Sequence, residues 1–203
     1  MTVPAALDQV GRAVGVLRNG GVIAMSTDTL YALTAAADGA SAVRRVFQIK
    51  GRQEGRPLPL FVGSLEMAAR IGELNDTASR LASRFWPGQL TIVVPKRQDY
   101  ESEALAGSLT VGLRLPDHEI ARAVIEALDA PVTGTSANLS GGPDPVTAEE
   151  VRSQLGDLID LILDGGPCEH GVGSTIVGCS GEEPVILRQG AISRDDIFAA
   201  LRD

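Results

Sequence analysis

The residues of this chain best suited to chemistry are hydroxyls, carboxamides and cations set in glycine-rich stretches. Residues 134–142, Gly-Thr-Ser-Ala-Asn-Leu-Ser-Gly-Gly, follow the β-branched pair Val132-Thr133 and are closed by Pro143 and Pro145. Glycine permits backbone conformations that other residues avoid, while Ser, Thr and Asn can donate to a bound anion or satisfy a turn. The same composition serves an ordinary strand-to-helix turn, so its meaning depends on what the rest of the chain can bring to it.

Four other stretches supply partners. Thr27-Asp28-Thr29 stands at the carboxyl end of the apolar run 22–25, where open α/β sheets carry ligand groups, although these residues would equally cap the next element. Between Arg44 and Arg56 there are five cations against one carboxylate, Glu54, and residues 50–57 read as a loop because they hold two glycines and a proline. Arginine forks and a lysine on such a loop suit a polyphosphate; a solvated loop is the alternative. Residues 109–115 alternate, which puts Thr110, Gly112 and Arg114 on one strand face, with Arg114 placed for a ligand carboxylate or for a structural ion pair. Residues 170–175 form a second glycine and hydroxyl loop carrying Ser174, and Arg188 ends the last apolar run.

Together, Thr29, Lys50, Arg52, Arg56, Thr110, Arg114, Ser136, Asn138, Ser174 and Arg188 make a set that binds and orients anions. Attack on a nucleotide phosphate needs only positioning and charge stabilisation, so such a set can run it without a protein nucleophile. His170 lies four residues before Ser174, but no triad order or nucleophile elbow frames it. Neither a GxxxxGK[ST] loop nor a GxGxxG after a strand is present.

The elements that must position these groups follow from apolar spacing. Helices are expected over 4–19, 41–49, 64–71, 76–85, 117–128, 147–155 and 193–201, with Ser64, Asp76, Asp117, Thr147 and Ser193 at their starts. Strands are expected over 22–25, 58–62, 90–94, 109–115, 175–177 and 184–188, and residues 96–107 read as a polar, mobile loop. Strands and helices alternate without the strict spacing of repeated βαβ units and without a linker. The expected fold is α/β, a single domain over 1–203 with a twisted, mixed parallel and antiparallel sheet flanked by helices.

Composition narrows the function classes. Aromatics are only 3%, so aliphatic residues must fill the core and a base-stacking nucleic-acid binder is disfavoured. A net charge of -8 argues against broad attachment to nucleic acid or an anionic membrane. Two cysteines and two histidines assemble neither a disulfide framework nor a zinc site, so no metal ligands are assigned. With no signal-like start and no apolar run of about 18 residues, the expectation is a cytoplasmic protein with no membrane association.

Seven motifs in order then carry a resemblance: TDTLY at 27–31, KGR at 50–52, FWPG at 85–88, TVGLR at 110–114, TSANLSG at 135–141, STIV at 174–177 and LRQGAI at 187–192. The chain resembles the YrdC family, the threonylcarbamoyl-AMP synthases of tRNA modification, in the form that stops at the catalytic domain. The resemblance implies a nucleotidyltransferase that condenses L-threonine, bicarbonate or CO2, and ATP into threonylcarbamoyl-AMP and pyrophosphate. Partner proteins would then pass the threonylcarbamoyl group to tRNA. It implies that Lys50 and Arg52, as the catalytic pair, hold the triphosphate with Ser136 and Asn138, that Arg56, Thr110 and Arg188 complete the ATP site, and that Thr29, Arg114 and Ser174 hold threonine. Mg2+ would screen the phosphates.

Ser26, Ala32, Gln53, Phe61, Gln89, Gly173 and Gln189 depart from the family pattern, Phe61 standing where a histidine is common. They leave open a carbamoyl-adenylate enzyme of the same family with another acceptor. A weak RNA contact through the basic 44–56 segment, or an RNA-binding module without turnover, is the remaining alternative.

Overall fold

The computed structural model describes residues 3–51, 56–181 and 183–202, with side chains from residue 8 onward. The chain runs α1 (Val3–Arg18), β1 (Ile23–Met25), β2 (Ala32–Thr34), α2 (Ala40–Lys50), β3 (Leu60–Phe61), α3 (Leu65–Ile71), α4 (Asp76–Phe85), β4 (Leu90–Pro95) and β5 (Thr110–Arg114). It continues through α5 (Glu119–Leu128), β6 (Val132–Thr133), β7 (Thr135–Ser136), α6 (Ala148–Leu155), β8 (Leu161–Leu163), β9 (Thr175–Gly178), β10 (Val185–Arg188) and α7 (Arg194–Ala199).

The expected mixed sheet is present and divided in two. One sheet has the order β7-β2-β1-β8 and the other β10-β9-β4-β5-β3-β6. Each combines parallel and antiparallel pairs: β1 with β8, β3 with β5 and β4 with β9 are parallel, and the remainder antiparallel. The sheets meet where the chain leaving β2 reaches β6, through the Ala36–Val132 bridge and the bond from Thr133 N–H to the Ala35 carbonyl at 2.9 Å. Leu60, Leu90, Ile92, Leu113 and Ile125 are fully buried, and α1 packs on α5 over β8. Aliphatic side chains fill this interior, as the scarcity of aromatics requires.

Several local expectations change. β2 and β7 are strands of three and two residues, too short to show a period in the sequence. Asn75, not Asp76, caps α4, its side chain accepting from Ala78 N–H at 2.9 Å. The helix expected from Asp117 starts at Glu119, with His118 as an N-cap that makes no capping hydrogen bond. Thr147 does form a capping box with Glu150, and Ser193 accepts from Asp196 N–H. The polar loop 96–107 is pinned by a 3-10 turn, Glu103–Leu105, that buries Ala104 and Leu105. No helix among the described residues is long and apolar enough to cross a membrane.

Candidate active site

The strand ends and loops open onto a cleft of about 360 Å3. Thr29, Arg56, Thr110, Arg114, Ser136, Ser174 and Arg188 line it, so residues from six separate stretches of sequence converge there. Lys50 and Asn138 stand behind this wall rather than on it, and Arg52 lies outside the described residues.

Arg114 is the best determined of these groups. It closes β5, is 3% exposed, and donates from Nε to the Gly88 carbonyl at 2.9 Å, from Nη1 to Thr29 Oγ1 at 2.9 Å and from Nη2 to Asp28 Oδ1 at 2.6 Å. Each acceptor is delivered by a motif. The FWPG turn brings the Gly88 carbonyl, with Gly88 N–H bonded to the Leu115 carbonyl and Trp86 Nε1 to the Leu90 carbonyl. The TDT turn brings Asp28 and Thr29, folded around Thr27 Oγ1, which accepts from Thr29 and Leu30 N–H and donates to the Leu30 carbonyl. A guanidinium has five N–H groups, so one on each terminal nitrogen is uncommitted among the described residues. Burial pulls the Arg114 pKa below its ordinary value, with Asp28 opposing, and the group stays charged at neutral pH.

Lys50 corrects the expectation of an exposed cation loop. It is the last residue of α2 and only 6% exposed, and Gly51, in the left-handed region at φ 53°, turns the chain away. Its ammonium donates to the carbonyls of Ser136 and Asn138, each at 2.8 Å, and to Asn138 Oδ1. Ser136 Oγ donates to Asn138 Oδ1 at 2.7 Å, and Asn138 Nδ2 to the Gly142 carbonyl at 2.8 Å. Ser140 Oγ in turn donates to the Lys50 carbonyl. The 134–142 stretch is therefore more than a simple turn: it is a tight coil wrapped around one ammonium.

Two further cations of the basic run are held in ion pairs. Arg44 pairs with Glu103 at 3.0 Å and Arg45 with Asp160 at 2.5 Å, while Arg56 is exposed at the cleft.

At the far wall Ser174 and Arg188 act together. Arg188 Nη2 donates to the Ser174 carbonyl at 2.8 Å, and Ser174 Oγ shares a 2.8 Å hydrogen bond with Thr91 Oγ1. The LRQGAI stretch is laced to β9 by Thr175 Oγ1, which accepts from Gly190 and Ile192 N–H. A Cβ on Gly190 would come within 2.3 Å of the Gly173 carbonyl oxygen, so only glycine allows this approach.

Sequence reasoning missed several lining residues. Thr91 and Val93 face the cleft while Leu90, Ile92 and Val94 are buried, a period-two signal in β4 that was available to find them. Asp28, which the sequence offers as a ligand group or a cap, instead pairs with Arg114. Asp144, which accepts from Asn138 Nδ2 at 3.3 Å, is the one carboxylate lining the cleft among the described residues.

The profile of the Sua5/YciO/YrdC family, described as "Telomere recombination", matches residues 15–190. The chain belongs to this family. It is 38% identical over 195 residues to the threonylcarbamoyl-AMP synthase of Bacillus subtilis, covering 95% of this chain and 56% of that relative. Among solved structures, Pyrococcus abyssi Sua5 complexed with L-threonine superposes with a TM-score of 0.91 at 37% identity, covering 95% of this chain and 57% of that one. Escherichia coli YciO superposes with a TM-score of 0.85 at 28% identity over 93% and 92% of the two chains. The chain thus spans about half the length of the first two relatives and nearly all of the third. Across the family match, the cleft described above takes in the TDTLY, TVGLR, TSANLSG, STIV and LRQGAI motifs.

Proposed function

We propose that this chain is an L-threonylcarbamoyladenylate synthase, forming threonylcarbamoyl-AMP and pyrophosphate from L-threonine, bicarbonate or CO2, and ATP. The observation that carries the reading is Arg114: a buried guanidinium fixed by three acceptors, with one N–H left on each terminal nitrogen, lining the same cleft as Arg56 and Arg188. A planar fork of this kind suits a carboxylate, and cations across the cleft suit a polyphosphate. Relatives that carry the synthase name, and one solved with threonine, support the same assignment.

In this reading Arg114, Thr29 and Ser174 take threonine, and Arg56, Thr110, Ser136 and Arg188 take ATP. Lys50 and Asn138 act by shaping the Ser136 wall, and Arg52 is assigned to the triphosphate as a cation. The threonine amine combines with bicarbonate to give a carbamate and water. A carbamate oxygen then forms a bond to the α-phosphorus as the bond to the β-phosphate oxygen breaks, releasing pyrophosphate. The carbamate is itself the anionic nucleophile, so the protein's task is alignment and charge stabilisation. No group of three or more His, Cys, Asp or Glu that could hold a metal occurs among the described residues. Mg2+ would therefore be held chiefly by phosphate oxygens, with Asp144 as the available carboxylate, and would neutralise phosphate charge.

The product would pass to proteins that modify tRNA, and the working compartment would be the cytoplasm. A stand-alone RNA-binding module fits less well, because Arg44 and Arg45 are in ion pairs and Lys50 is buried. Pyrophosphate release from ATP, with threonine and bicarbonate omitted in turn and the adenylate detected by mass, tests the reading. Turnover that does not depend on threonine rejects it.

A further inference from the structure

The six-stranded sheet sets three unlike side chains in a row beside the cleft. β3 runs parallel to β5 with Phe61 opposite Arg114, and β4 runs antiparallel to β5 on its other side. One step beyond the Ile92–Leu113 pair, that register brings Thr91 across from Arg114. Thr91, Arg114 and Phe61 all line the cleft, so the row reads hydroxyl, guanidinium, aromatic ring. The hydroxyl end is doubled by Ser174 Oγ, 2.8 Å from Thr91 Oγ1.

The ring is held from two sides. Arg114 Cζ stands 5.4 Å from its centroid, and a Cβ built on Gly134 would lie 2.3–2.6 Å from ring carbons Cε1, Cδ1 and Cζ. Phe61 is 4% exposed. The ring therefore rests on the bare backbone of residue 134 and presents a fixed apolar surface next to the carboxylate anchor.

We propose that Phe61 is a specificity-determining residue of the amino-acid subsite, its ring being the wall against which the acceptor's β-methyl packs. The inference rests on the synthase reading above. A carboxylate seated on Arg114 puts the α-carbon, and then the β-carbon, between the hydroxyl pair on one side and the ring on the other. Threonine carries a hydroxyl and a methyl on that one carbon and matches both walls. Serine matches only the polar wall, and 2-aminobutyrate only the apolar one.

The test is kcat/KM for threonine and for serine, by pyrophosphate release at saturating ATP and bicarbonate, in the wild type and in Phe61→Ala. One methyl in an apolar pocket is worth about 10–200-fold, so the wild type should prefer threonine by at least about tenfold. In Phe61→Ala that ratio should fall to within about threefold, with the KM for ATP unchanged. A purely structural role would depress both substrates alike and leave the ratio intact, which overturns the proposal. Calorimetric titration of the wild type with each amino acid needs no variant, and equal affinity for serine and threonine overturns the proposal even if Phe61→Ala does not fold. Turnover indifferent to every amino acid would instead reject the synthase reading itself, and this inference with it.

Discussion

Arg114 Nη2 lies 2.6 Å from Asp28 Oδ1, and the two side chains are only 4% and 9% exposed. The second carboxylate oxygen of Asp28 finds no partner among the described residues, so the pair is held by a single short contact inside the wall of the cleft. Breaking a buried pair by removing one charge costs about 3–5 kcal/mol, because the remaining ion stays desolvated and uncompensated. Asp28→Asn keeps the size and an acceptor but removes the charge, so it should lower stability by about that amount. A substrate carboxylate on Arg114 would then replace part of the missing charge. Threonine should therefore raise the Tm of Asp28→Asn more than that of the wild type. An equal or smaller threonine shift would show that the carboxylate does not reach Arg114.

Arg114→Lys separates charge from geometry. Lysine keeps the cation but cannot serve Gly88, Thr29, Asp28 and an incoming carboxylate with one planar fork. The KM for threonine should rise by about tenfold or more while the KM for ATP stays within about threefold. Initial-rate measurements with each substrate varied check this, and equal rises in both would contradict the assignment of Arg114 to the amino acid.

Lys50→Ala should cost both product and stability. Its ammonium holds the Ser136 and Asn138 carbonyls, and hydrogen bonds to a charged group contribute about 1.5–3 kcal/mol each. Loss of the ammonium leaves those carbonyls facing one another with no donor between them. We expect a lower denaturation midpoint by urea unfolding and loss of pyrophosphate release, with Lys50→Met, which keeps the aliphatic stem, failing in the same way. A Lys50→Ala protein with an unchanged midpoint would return Lys50 to the exposed, phosphate-facing role expected from its sequence context.

That contrast shows where sequence reading succeeds and where it stops. The alternation of 109–115 placed Thr110, Gly112 and Arg114 on one face because a strand's period is local, and all three line the cleft. Local too are the capping box at Thr147 and the cap at Ser193. The cation run 44–56 is legible as charge, but the pairing of Arg44 and Arg45 depends on Glu103 and Asp160, which are 59 and 115 residues away from their partners. Lys50 reads as a loop residue because two glycines and a proline follow it; its burial comes from a coil near residue 136 that only tertiary structure brings to the end of α2. Phe61 could be singled out as a departure, yet its role depends on Gly134 and Arg114, brought together by strands whose pairing has no local signature.

The last prediction concerns pH. His118 stands at the start of α5 with Nδ1 buried and without a hydrogen-bond partner among the described residues. Burial pushes its pKa down, outweighing the opposite pull of Asp28, Glu119, Asp117 and Glu169. The unfolded chain therefore takes up a proton near the ordinary histidine value, about 6.5, at a pH where the folded protein still resists it. With more protons bound in the unfolded state, stability rises with pH across this interval. The contribution is complete above about pH 6.5 and is lost as pH falls towards the depressed folded value. Asp160, whose pKa is lowered although burial opposes the Arg45 and Val22 hydrogen bonds, acts in a separate window, below about 3.9 where unfolded aspartates protonate. His118→Asn removes the titration and supplies a better N-cap. Its Tm should therefore change less than that of the wild type between pH 7.5 and 5, and a parallel fall in both proteins would place the acid sensitivity elsewhere.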